Sequence, residues 1–296
     1  MMKLAAAAFP IEWHSRWNDY VGKLRVWVRT ATEQGAELLV FPQLAALELT
    51  SLAGKENAKD PERAIEAMTA RLKDVDDLHA SLAREFKATI SAATGPVRPR
   101  DGDPVDRARL FTPDGSVGRQ DRLTIDPNEA LPLTAGEMAR VFETPLGRIG
   151  ILIGSDLTRP EIARAMVDSG ASLLLAPGIA DIPRSVARLR IAARARAAET
   201  GVPVIAAMTI GSADWLPAAR QGYGAAGIYV PPAPGLPDDG VFAMGKVDSA
   251  GWTYGEIDLA LPGLEAGPRP LWNGGVETVP LGVASPSAGQ AEKNLS

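Results

Sequence analysis

The feature that most constrains this chain is its alternation of short apolar runs with helix-spaced segments, interrupted twice by Pro-x-Gly turns. Residues 4–9, 36–41, 89–94, 173–176 and 202–207 are apolar runs of strand length. Residues 18–34 carry Tyr20, Leu24, Trp27 and Val28 at helical spacing before Gly35. Pro61–Phe86 is rich in Ala, Glu, Lys and Arg and predicts one or two surface helices; 160–169 and 184–200 predict two more. Pro113-Asp114-Gly115 separates strands at 107–112 and 116–119. Pro145-Leu146-Gly147 separates strands at 141–144 and 149–153. Strands at 226–230, 241–247 and 252–258 complete the pattern. Hairpins joined to crossover helices predict an α/β fold with a mixed sheet. No linker or repeat divides residues 1–280, which read as one domain, and 281–296 read as a disordered tail.

Composition narrows the chemistry. The chain has no cysteine, so a disulfide, a thiolate nucleophile and a Cys-ligated metal are all excluded. His14 and His79 are its only histidines, which argues against a His-rich metal site. The formal net charge of -5 offers no general attraction to nucleic acid or anionic lipid. Residues 1–9 read as a first strand and not as a signal peptide, and no apolar stretch reaches the roughly 20 residues of a membrane span. The expectation is a cytoplasmic protein with neither a nucleic-acid nor a membrane partner. Gly222-Tyr223-Gly224-Ala225-Ala226-Gly227 matches G-x-G-x-x-G, but a strand pattern follows where a dinucleotide site needs a helix. No cofactor is predicted.

Four segments, in order, carry a resemblance. They are Gly35 to Leu44 ("GAELLVFPQL"), Phe111 to Glu129 ("FTPDGSVGRQDRLTIDPNE"), Gly147 to Arg164 ("GRIGILIGSDLTRPEIAR") and Arg194 to Ala207 ("RARAAETGVPVIAA"). Together they resemble the nitrilase superfamily of carbon–nitrogen hydrolases. The resemblance implies a four-layer α-β-β-α sandwich and a homodimer or higher homo-oligomer. It also implies a Glu at the end of the second strand, a Lys after the hairpin and a nucleophilic Cys before "SD". Those three positions hold Gln43, Arg122 and Gly154.

In such a site the thiolate attacks an amide or nitrile carbon, the Glu moves protons and the Lys steadies the oxyanion. Glycine has no nucleophile, and a glutamine amide exchanges no proton near neutral pH. Arginine keeps the charge in a bulkier, planar form. The expectation is a noncatalytic homologue that binds a small anionic or amide-like ligand. The alternatives are a noncatalytic subunit of an assembly with an active paralogue and a hydrolase with altered chemistry. Exchanging Cys for Gly is expected to open space unless Arg122 fills it. Arg122 would be left uncompensated, to pair with Glu129 or with an anionic ligand.

Four further residues are candidates for the pocket. Glu129 either orients a ligand or neutralises Arg122. Ser155 could offer a hydroxyl, although no base is evident beside it. Asp156 reads as a carboxylate that accepts backbone N–H groups and fixes the turn. Trp215 lies in a loop that could line the pocket. Glu161 and Arg164, three apart on a helix, predict an ion pair. Arg184, Arg188, Arg190, Arg194 and Arg196 predict a salt-bridged helix at a subunit contact.

Overall fold

The computed structural model describes residues 1–126, 129–258 and 276–282. Its strands are β1 (Met2–Pro10), β2 (Leu38–Val40), β3 (Thr89–Ser91), β4 (Gly95–Val97), β5 (Val105–Phe111), β6 (Val117–Asp121), β7 (Ala139–Thr144) and β8 (Gly147–Ile151). They continue with β9 (Leu173–Ile179), β10 (Val204–Ser212), β11 (Gln221–Gly222), β12 (Gly227–Tyr229), β13 (Val241–Met244), β14 (Gly251–Ile257) and β15 (Val276–Pro280). The helices are α1 (Trp17–Glu33), α2 (Lys55–Lys59), α3 (Pro61–Phe86), α4 (Pro160–Asp168) and α5 (Pro183–Thr200).

The main path of the sheet runs β15-β7-β8-β9-β10-β1-β2-β3-β5-β4. β1 is the seam. Leu4 to Ala6 pair in parallel with β2, and Ala8 to Pro10 pair in parallel with β10. Antiparallel pairs occur at β5/β6 and β7/β8, so the sheet is mixed.

Strand alternation sorts the apolar side chains into three cores and therefore four layers. On β1, Ala5, Ala7 and Phe9 face α1 and α3, while Leu4, Ala6 and Ala8 face the other half of the sheet. On β9, Leu173 and Leu175 meet that inner core, while Leu174 and Ala176 face α4 and α5. This is the α-β-β-α sandwich.

The 61–86 segment is one helix, not two. Pro61 opens it, and the Asp60 side chain accepts the Arg63 N–H at 3.0 Å. It is also only partly a surface helix, because Ile65, Met68, Val75 and Leu82 are buried. Arg164 pairs with Asp168, one turn after it, at 3.0 Å, and not with the expected Glu161 one turn before. On α5, Arg196 is bidentate on Glu199 and Arg194 binds the Asp239 carbonyl. No described helix is long and apolar enough to cross a membrane. Of the disordered tail expected over 281–296, Leu281 is instead buried in the inner core, and residues 283–296 lie outside the described residues.

Candidate functional site

Three strand ends converge. β2 leads into Phe41-Pro42-Gln43, β6 into Arg122 and β8 into Gly154. Gln43 and Arg122 are 2% and 3% exposed, so none of their polar atoms can rely on bulk water.

The hub is a residue that the sequence reading passed over. Asp106, on β5, has no exposure. Its Oδ2 accepts the Gln43 amide Nε2–H at 2.9 Å, and its Oδ1 accepts the Thr94 hydroxyl at 2.6 Å. Thr94 in turn accepts the Leu44 N–H at 3.0 Å, which fixes the turn that presents Gln43. Burial pushes the Asp106 carboxyl above its ordinary range. Arg122, Thr94 and Gln43 pull it back, and Glu129 adds to the rise. The sequence did carry a signal for Asp106. It shares the period-two face of β5 with Ala108 and Leu110, both in the inner core.

Arg122 is not left as a free cation. It forms an ion pair with Glu129. Burial opposes its charge, but Asp106, Glu129 and Asp156 together raise its pKa, so the guanidinium stays protonated. The expected uncompensated charge is therefore matched within the protein. One donor is left over: Arg122 Nε is buried and has no hydrogen-bond partner among the described residues.

Gly154 adopts φ +54°, a left-handed conformation that costs little only for glycine. A Cβ built there would fall within 3 Å of the Gln43 amide, 2.7 Å from Nε2 and 2.8 Å from Cδ. The space that a larger residue would need is filled, and Gln43 fills it instead of Arg122. Beside Gly154 lies a cavity of about 10 Å³ lined by Leu157, Pro177, Met208, Arg190 and Tyr229, roughly the room of one water. A wider open cleft of about 510 Å³ runs past Asp60, Glu62, Ile125, Asp126, Glu129 and Leu131.

Asp156 is buried and ties two strand ends together. It accepts N–H groups from Leu123 at 3.1 Å, Thr124 at 2.8 Å and Ile153 at 3.2 Å, and the Thr124 hydroxyl at 2.7 Å. Burial pushes its carboxyl up to about 6, against the pull of those donors. A folded-state pKa above the unfolded 3.8 stabilises the protein fully below about pH 4, and that contribution is lost as pH rises through about 6. We therefore expect a stability term of about 3 kcal/mol that fades across this window. Urea titrations at a series of pH values should show it, and Asp156→Asn should abolish it. The same slope in the variant would refute the assignment.

The Ser155 hydroxyl donates to the Thr124 carbonyl at 3.0 Å and lies 2.7 Å from the Thr124 hydroxyl oxygen, whose one proton is shared with Asp156. Trp215 meets Trp13 edge to face at 5.0 Å and packs against the core beneath α1 and α3. Among the described residues, no cluster of three or more His, Cys, Asp or Glu could hold a metal.

Comparison with known proteins gives the scaffold a context. A model of the carbon–nitrogen hydrolase family matches residues 3–245. The probable hydrolase YhcX of Bacillus subtilis (strain 168) is 26% identical over 246 residues, 82% of this chain but 47% of that protein, so the chain spans about half that relative's length. The crystal structure of a carbon–nitrogen hydrolase from Helicobacter pylori G27 superposes with a TM-score of 0.72 at 18% identity, covering 87% of this chain and 89% of that one. An amidase from Nesterenkonia sp. AN1 superposes with a TM-score of 0.64 at 19% identity, covering 86% of this chain and 89% of that one. It is a double mutant, with Gln for a Glu and Ala for a Cys, in complex with acrylamide.

Proposed function

Because the chain belongs to the carbon–nitrogen hydrolase family, we propose that it is a noncatalytic member that binds a small amide-like ligand. Gln43, Arg122 and Gly154 stand in this reading where active relatives carry Glu, Lys and Cys. Gln43 transfers no proton and Gly154 forms no covalent intermediate, so the route through an acyl-enzyme is closed.

The observation that carries the choice of ligand is Arg122 Nε, a buried donor without an acceptor among the described residues, in a site where the one cation already faces Glu129, Asp106 and Asp156. A neutral carbonyl oxygen would satisfy that donor without adding an anion beside Asp106 and Glu129. Of the anionic and amide-like ligands expected from sequence, this favours the amide. The Nesterenkonia double mutant supports the same reading, since a fold of this kind with Gln and a small residue in place of Glu and Cys holds acrylamide. Altered hydrolytic chemistry has less support, because the Ser155 hydroxyl donates to a carbonyl and not to a base.

One observation favours the alternative, a noncatalytic subunit that associates with an active paralogue. The cavity at Gly154 is about 10 Å³, too small for an organic ligand unless the site opens. Self-association into a homo-oligomer and residence in the cytoplasm belong to the same proposal.

An ammonia-release screen over amides, nitriles and carbamoyl compounds should give no turnover above buffer. Turnover by the unaltered chain would overturn the reading. A panel of small amides should raise the melting temperature, since a ligand selective for the folded state stabilises it. Fixed-stoichiometry co-purification with a triad-bearing relative, without any amide response, would move the conclusion to the assembly role.

A further inference from the structure

The site keeps a carboxylate, and it lies one hydrogen bond away from position 43. Asp106 is fully buried, holds the Gln43 amide at 2.9 Å and interacts with the Arg122 charge. The amide it holds is the group that occupies the Cβ space of Gly154. We propose that Asp106 is the positioning residue of this site: it carries the anion beside Arg122 and draws Gln43 across Gly154 as a latch. As far as it concerns lost hydrolysis, this rests on the function proposed above.

The argument is one of charge exclusion. Two carboxylates at hydrogen-bond separation in a buried site cannot both ionise. With aspartate at 106, residue 43 must be neutral and must offer a donor, and a glutamine amide does both. The site's negative charge has been displaced along a hydrogen bond and not deleted. Rebuilding the triad through Gln43→Glu, Arg122→Lys and Gly154→Cys would therefore give one carboxylate too many. A fourth change, at Asp106, is required.

The test is a charge swap. Gln43→Glu and Asp106→Asn should each lower the melting temperature at about pH 8 by roughly 5–10 °C, the first by crowding two carboxylates and the second by removing the anion beside Arg122. The groups facing Asp106 are Gln43, Thr94, Arg122 and Glu129, and Glu129 is the other acid among them. The loss caused by Gln43→Glu, measured against the parent at each pH so that the Asp156 titration common to both cancels, should shrink on acidification to about pH 5, because the crowded pair takes up a proton. The double variant exchanges amide and carboxylate across the same bond, and it should recover more than half of the summed loss without acid. A double variant no better than the sum of the singles overturns the proposal, as does a Gln43→Glu loss indifferent to pH. Space filling alone would leave the pH profile unmoved.

A second arm uses the absence of cysteine. Gly154→Cys, combined with Gln43→Glu and Arg122→Lys, places the chain's single thiol at the site. The thiolate's ultraviolet absorbance, which needs no reagent to enter the closed site, should appear at lower pH when Asp106→Asn is added, because one carboxylate fewer then opposes ionisation of the thiol. The same thiol titration in two folded proteins would overturn the latch. Ammonia release by the unaltered chain would sink the function proposed above and leave the charge swap untouched.

Discussion

Gly154→Cys is expected to destabilise the protein and to restore no turnover. A non-glycine residue at φ +54° costs about 1–2 kcal/mol, and forcing a side chain into filled core space adds about 1–3 kcal/mol. For a domain of this size the sum lowers the melting temperature by roughly 10 °C. The obstacle is not a flexible tip. The Gln43 amide is tethered through Nε2 to Asp106, and the residue's backbone carbonyl accepts the Thr209 hydroxyl. Even a folded variant would place its thiol against an amide that cannot take the proton. Differential scanning fluorimetry and an amide-hydrolysis assay check the two halves separately. A melting temperature within about 2 °C of the parent would mean that the Gln43 amide moves aside freely.

Arg122→Met is the other change with a large expected effect. Methionine follows the arginine stem only as far as Nε, so the change removes the charge together with the guanidinium's donors. Removing the cation leaves Asp106 buried without its countercharge and Glu129 without its partner. Breaking a buried pair from one side costs about 3–5 kcal/mol. Arg122→Lys should lose less, because it keeps the charge and gives up the planar fork. Urea unfolding at neutral pH measures both. Equal losses for Met and Lys would show that hydrogen-bond geometry outweighs charge at this position. A loss below about 1 kcal/mol for Met would show that Asp106 already carries a proton.

Much of the framework was legible in the sequence because the local signals were strong. The helix expected over 18–34 is Trp17–Glu33, and the one expected over 184–200 is Pro183–Thr200. Both Pro-x-Gly turns close the hairpins they predicted. The layer order was not legible from periodicity. β1 is Ala-rich and β9 Leu-rich on both faces, so alternation cannot say which residues look inward. That order came from the resemblance. The buried 3₁₀ segment Ala45–Ala53 fits neither period and went unread, and so did the short strands β4, β11 and β15.

At the site, the three exchanged positions were visible from their flanking motifs, but their consequences were not. Sequence could say that glycine lacks a side chain. It could not say that Gln43, far away along the chain, already stands in the vacated volume. The same limit hid Asp106. The strand reading began at Arg107, one residue too late, and a carboxylate on an inward face becomes conspicuous only once Ala108 and Leu110 are known to face a core.

The outer edge of β7 is closed by β15, which runs parallel to it from Val276↔Ala139 to Pro280↔Glu143 and is pinned by Arg140 on Glu277 at 2.6 Å. The two strands are separated by more than a hundred residues of chain. During synthesis on the ribosome, β7 and β8 emerge long before the strand that covers them. For that interval a row of unpaired N–H and C=O groups lies open, a template for a neighbouring nascent chain. The same strand pair that completes the native sheet thus sets the period during which misassembly can occur, and a truncation before residue 276 would make that period permanent.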